Sequence, residues 1–188
     1  HQFRGPVTFK NALAQSLNIP AVKALYLAGI DESLKTARDL GITTLTNRDQ
    51  YGLTLVLGGG EVKLLEMVGA YGAFANEGER AELTGILRIE DNQGNVLQET
   101  EPKLSRVLDR DITLQISDIL SDNVARTPLF GANSALYFPG RDVAAKTGTT
   151  NDKRDAWVVG YTPNLVVGAW AGNNDNTSMN EISGLIIT

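Results

Sequence analysis

Apolar residues keep a helical spacing up to about residue 80 and give way after residue 140 to short apolar runs between turns, which restricts the folds open to this chain. Thr8 to Gln15 reads as a short helix with Phe9, Ala12 and Leu13 on one face. Ser16-Leu17-Asn18 interrupts it, and Pro20 suits the first turn of a second helix running to Gly29. Asp31 is placed to cap a third, with Leu34, Ala37 and Leu40 inward and Gly41 as its stop. Gly58-Gly59-Gly60 opens the clearest helix, with Leu64, Met67/Val68, Tyr71 and Phe74/Ala75 in register, and Asn76-Glu77-Gly78 ends it.

The later part reads differently. Ile86 to Ile89 and Val96 to Glu99 flank the turn residues Asp91 to Asn95, a hairpin signal. A helix follows Asp109, with Ile112, Ile116 and Ile119/Leu120 inward, and Thr127 to Gly140 reads as loop. Strands are expected over Val143 to Thr149, Ala156 to Tyr161 and Leu165 to Ala171. Helices ahead of an antiparallel sheet define an α/β-mixed (α+β) domain. All 188 residues fit one domain: a helical part about 1–80, a hairpin and helix about 81–125, and a sheet about 141–172.

Composition narrows the chemistry. A net charge of −5, with no Lys/Arg block, gives no support for nucleic-acid binding. No run approaches the roughly 20 apolar residues of a membrane-spanning helix. There is no cysteine, and the only histidine is His1 at a terminus. That argues against disulfides, thiolate chemistry, a Ser-His-Asp triad and a zinc site. A nucleophile would need lysine or a carboxylate as its base, and lysine serves when burial or a cationic neighbour lowers its pKa.

Lys146-Thr147-Gly148-Thr149-Thr150-Asn151-Asp152 follows the small residues Val143-Ala144-Ala145, and Asp155-Ala156-Trp157 and Gly160-Tyr161-Thr162-Pro163 come next. Gly168-Ala169-Trp170-Ala171-Gly172-Asn173 and Asp175-Asn176-Thr177 complete this end of the chain. Upstream lie Ser16-Leu17-Asn18-Ile19-Pro20-Ala21-Val22 and Ala70-Tyr71-Gly72-Ala73-Phe74-Ala75-Asn76-Glu77-Gly78. Together these segments closely resemble the transpeptidase domain of class A (bifunctional) penicillin-binding proteins over nearly the whole chain. K-T-G and S-x-N are two of the three motifs that mark penicillin-binding proteins and serine β-lactamases.

The resemblance implies roles. Ser16 relays a proton to the departing amine, and Asn18 orients the catalytic lysine and the substrate amide. Lys146, Thr147 and Thr149 hold a substrate carboxylate through charge-assisted bonds. Gly148 lets an extended peptide lie close to the strand as an added edge. The backbone N–H of Thr149 forms half of an oxyanion hole. Trp157, Trp170 and Tyr161 read as sheet-face core, Asp152 and Asp155 as turn holders, Glu61, Lys63 and Glu66 as a solvated helix face, and the hairpin at Asp91 to Asn95 as peripheral.

The chain also departs from the pattern. None of its serines (Ser16, Ser33, Ser105, Ser117, Ser121, Ser134, Ser178, Ser183) has lysine three positions on, and Leu185-Ile186-Ile187-Thr188 follows Ser183-Gly184 where the family continues with another glycine. The 188 residues therefore read as part of a transpeptidase domain lacking its S-x-x-K helix, inactive alone. The expected reaction of the parent is D,D-transpeptidation of peptidoglycan stem peptides, with β-lactams acylating the same nucleophile. Expected partners are D-Ala-D-Ala donors, amine acceptors, β-lactams and the missing N-terminal part of the same protein, with no cofactor or metal. The expected location is the extracytoplasmic face of a bacterial membrane. A water-using carboxypeptidase or β-lactamase and a non-catalytic sensor or scaffold stand as alternatives. Ser16-Leu17-Asn18 and the Asp155-Ala156-Trp157 context favour the transpeptidase.

Overall fold

The computed structural model describes residues 5–179. Three helices come first: α1 (Phe9–Ala14), α2 (Asn18–Ala28) and α3 (Ile30–Asp39). Two short 3-10 turns, Arg48–Gln50 and Leu53–Leu57, lead to α4 (Leu64–Ala75). Four short strands follow: β1 (Glu79–Ala81), β2 (Arg88–Glu90), β3 (Val96–Glu99) and β4 (Leu104–Arg106). Helices α5 (Arg110–Ser121) and α6 (Asn123–Phe130) precede β5 (Ala144–Thr149), β6 (Asp155–Thr162) and β7 (Leu165–Gly172). The last three form an antiparallel sheet in the order β5-β6-β7, and β1 pairs with β4 and β2 with β3.

Helix α4 is the spine. Ala70 faces a cluster with Leu34, Ile42 and Leu45. Tyr71, Phe74 and Ala75 face another built on Leu120, Ala144 and Tyr161. Burying a leucine such as Leu34 contributes about 1.5–3 kcal/mol. Tyr71 and Tyr161 meet edge to face at 6.0 Å, and burial pushes the Tyr71 hydroxyl up to about 12. Helix α4 lies so close to β7 that a methyl group at Gly168 would collide with Val68. The sheet is thereby fixed against the helical half.

Several local expectations are corrected. Gly29, not Asp31, occupies the cap position of α3, and Asp31 sits in the first turn, where a negative charge suits the helix dipole. The three glycines do not open α4, which starts at Leu64 after an extended link. On α5, Thr113 is buried in place of Ile112, which is 55% exposed; the Thr113 hydroxyl donates to Arg110 O at 2.7 Å. Residues 127–130 are helical although Pro128 stands among them, because Asp122 caps α6 through the Ala125 N–H at 2.9 Å. Glu66 is not a solvated residue: it accepts from the Thr43 N–H at 2.8 Å and the Thr43 hydroxyl at 2.7 Å. Those two bonds, with Lys63 beside them, hold its carboxyl at about 2.

Strand β7 is an edge among the described residues. It shows Leu165 at 63% and Val167 at 57% exposure, and with Leu64, Leu65 and Val68 it lines an open apolar hollow. An unpaired apolar edge is a template for association. The purified 188-residue chain is therefore expected to self-associate. Light scattering should give a mass above the monomer's 20.2 kDa, and a monodisperse, heat-stable monomer would contradict the expectation.

Candidate active site

Helix α1 ends in a tight closure that presents Ser16. The Leu17 N–H donates to Ala12 O at 2.9 Å and the Ser16 N–H to Leu13 O at 3.1 Å, the Schellman pattern. That pattern needs a left-handed residue, normally glycine, and Ser16 fills the place at φ 53°. A side chain there costs roughly 1–2 kcal/mol, so the hydroxyl is kept against a local preference. Ser16 does not cap α2 either, since Leu17 holds the cap position and makes no side-chain bond. Leu17 itself is half-buried.

Across from it, Lys146 on β5 donates from Nζ to Ser16 Oγ at 2.7 Å and to Thr147 O at 2.7 Å. Two residues 130 positions apart thus meet through their functional atoms. Burial, helped by the positive charge of Arg126, pulls the Lys146 amine down to about 8. Roughly one lysine in ten is then neutral at pH 7.

Strand β5 is the other edge of the sheet among the described residues. Its pleat puts Lys146 on the same face as Ala144, which packs against Leu120 of α5, while Thr147 and Thr149 leave by the opposite face. Gly148 lies opposite Trp157 in register, and a methyl there would make only ordinary contact with Trp157 Cβ at 3.5 Å. The chain's own packing does not demand glycine at 148. Asn18 opens α2 and is exposed, as is Thr149.

The turn after β5 is pinned by Asp155. Its carboxylate accepts from the Thr150 hydroxyl at 2.9 Å and from Trp170 Nε1 at 3.0 Å. Its N–H donates to Thr150 Oγ1 at 2.9 Å. Asp155 therefore ties the end of β5, the start of β6 and β7 together. Asp152, expected to share this task, is only 3.8 Å from Arg154 and exposed. Trp170, expected in the core, is 38% exposed and is held by its indole N–H.

Two residues here carried no sequence signal. Gln15 Nε2 donates to Ala125 O at 3.1 Å, binding the α1 end to α6. Arg126 is buried, with Nη1 donating to Leu136 O at 3.1 Å and Nη2 donating to Leu120 O. Among the described residues no cluster of His, Cys, Asp or Glu suits a metal ion, and no helix is long and apolar enough to cross a membrane.

A lysine on a strand that is an edge among the described residues is thus locked to a serine at a helix junction. The chain belongs to the penicillin binding protein transpeptidase domain family, whose pattern matches residues 1–183. It is 34% identical to penicillin-binding protein 1A/1B of Bacillus subtilis (strain 168), covering 93% of this chain and 20% of that protein. It is 37% identical to penicillin-binding protein 1A of Aquifex aeolicus (strain VF5), covering 93% of this chain and 23% of that protein. The crystal structure of penicillin-binding protein 1A from Haemophilus influenzae matches at a TM-score of 0.83 and 28% identity, over 98% of this chain and 33% of that one. The chain thus spans about a fifth to a quarter of the length of such relatives.

Proposed function

We propose that this chain forms part of a peptidoglycan D,D-transpeptidase working at the outer face of a bacterial cytoplasmic membrane. The observation that carries this reading is the 2.7 Å bond between Lys146 Nζ and Ser16 Oγ, with Lys146 on a strand that is an edge among the described residues. The nucleophile is a serine of the parent protein outside these 188 residues. It attacks the carbonyl of a D-Ala-D-Ala bond and its own proton goes to a base; the C–N bond then breaks and D-Ala leaves as an amine. Ser16 supplies that nitrogen with a proton. In the second half an amine of a neighbouring strand attacks the acyl-enzyme, releasing the serine and forming the cross-link.

Substrate placement follows from the edge. Lys146 and the two threonines leave β5 on opposite faces, so only a group lying along the edge meets all three. An extended peptide adding as a strand does so, with its terminal carboxylate held by Lys146, Thr147 and Thr149. Gly148 leaves the peptide room to approach, a need that arises from the ligand, since the chain's packing would admit a methyl there. The Thr149 N–H serves the oxyanion, and such donors contribute on the order of 10²–10³ in rate. Asn18 orients the catalytic lysine and the substrate amide, as the family resemblance implies.

Intact-protein mass spectrometry with a reactive penicillin tests the assignment. The full-length protein should gain one acyl group, and the 188-residue chain none. An adduct on the short chain would mean that the nucleophile is misassigned, and an unlabelled full-length protein would remove the transpeptidase reading.

A further inference from the structure

Arg126 is 2% exposed, and among the described residues it is ion-paired with no carboxylate. An arginine cannot shed its charge, and an unpaired buried cation is costly. The two carbonyls of Leu120 and Leu136 solvate the guanidinium without neutralising it. The carboxylate whose field reaches it is Asp122. That group is already engaged, by Lys10 Nζ at 2.6 Å and the Ala125 N–H at 2.9 Å. Lys10 also lies 3.6 Å from Asp118 of α5. Asp122 is thus bonded to another cation, and no described carboxylate pairs directly with the guanidinium.

Its position gives that charge a target. Gln15, which precedes Ser16, binds Ala125, which precedes Arg126. Leu120, whose carbonyl receives Nη2, packs on Ala144, two residues before Lys146. Arg126 therefore stands between the α1 end that carries Ser16 and the part of α5 that packs on the strand of Lys146. Resting on the transpeptidase reading above, we propose that Arg126 is a positioning residue for the reaction, a buried cation that acts through Lys146 by opposing a second positive charge beside Ser16.

Among the described residues no other cation competes for this role. Strand β6 opposes Lys146 with Val159. From α5, Ser117 is hydrogen-bonded to the Tyr161 hydroxyl at 2.9 Å, and burial keeps that phenol neutral. Asp118 is turned to Lys10. The consequence is a loosely held proton. When Ser16 gives its proton to the departing nitrogen, Lys146 can pass one of its own to Ser16 Oγ. Lys146 is then neutral, and the repulsion between the two cations is relieved. No proton is gained or lost in the relay.

The test is the pH dependence of acylation of the full-length protein by a fluorescent penicillin. Lys146 must be cationic to donate, so acylation falls as pH rises past its proton affinity. Removing a neighbouring positive charge favours the protonated amine. The alkaline limb should therefore move up by about one pH unit in Arg126→Gln and stay in place in Arg126→Lys. A merely structural role would lower the rate or the melting temperature and leave the limb where it was. If Arg126→Gln does not fold, citrulline in place of Arg126 keeps the shape and most of the N–H donors without the charge, and the same shift is expected. Coincident limbs, or an equal shift in Arg126→Lys, would overturn the proposal while leaving the transpeptidase reading intact. Failure of the wild-type protein to be acylated at all would remove that reading and the proposal with it.

Discussion

Replacing Ser16 in the full-length protein by alanine should slow acylation by a β-lactam about 10²–10⁴-fold, the usual contribution of a positioned acid or base. The fold should not suffer. Ser16 caps no helix, its hydroxyl is bonded only to Lys146 among the described residues, and its backbone is the left-handed closure of α1. Glycine is the residue that closure prefers. Ser16→Gly should therefore lose the same activity and gain up to about 1 kcal/mol of stability, read as a rise in melting temperature beside the alanine variant. Equal melting temperatures for the two variants would show that the left-handed closure stores no strain. Near-normal acylation in both would show that the hydroxyl moves no proton.

The helices and the β5–β7 sheet were legible because their signals are local. Helical spacing marks α4, Asp109 caps α5 through the N–H groups of Asp111 and Ile112, and turn residues bound the last three strands. Pairing of β1 with β4 was not legible, since each strand has only three residues and little or no buried face to alternate. Helix α6 was hidden by Pro128 and Gly131, whose loop signal outweighed a capped helix of eight residues. Glu66 looked solvated because its partner Thr43 lies 23 residues away on another segment.

The site shows the same division. Lys146 and Ser16 were singled out through resemblance to known transpeptidases, and no spacing rule joins residues 130 apart. Arg126 was missed because burial of a charge is decided by tertiary packing. Its two acceptors are backbone carbonyls, which leave no trace in side-chain identity. A charged residue kept inside at a cost becomes recognisable only once the elements are assembled.

Lys146→Ala in the full-length protein should slow acylation by one to two decades, from the loss of a charge-assisted contact of roughly 1.5–3 kcal/mol. Lys63→Ala is the control, because Lys63 pairs with Glu66 on an exposed part of α4's approach, far in sequence from β5. Stability should move the other way from activity. The Lys146 amine sits at about 8 in the fold against an ordinary 10.5. The unfolded chain therefore binds more protons between those values, and the cationic lysine costs stability at every pH below about 8, a cost that fades as pH rises toward 10.5. Truncating it removes that cost at neutral pH, so the melting temperature of Lys146→Ala at pH 7 should not fall, and its rise with pH between 8 and 10.5 should be flatter than that of the wild type. Equal acylation rates for Lys146→Ala and Lys63→Ala would refute the placement of Lys146 in the cleft. A steep fall in melting temperature at pH 7 would instead make Lys146 a structural residue whose charge the fold requires.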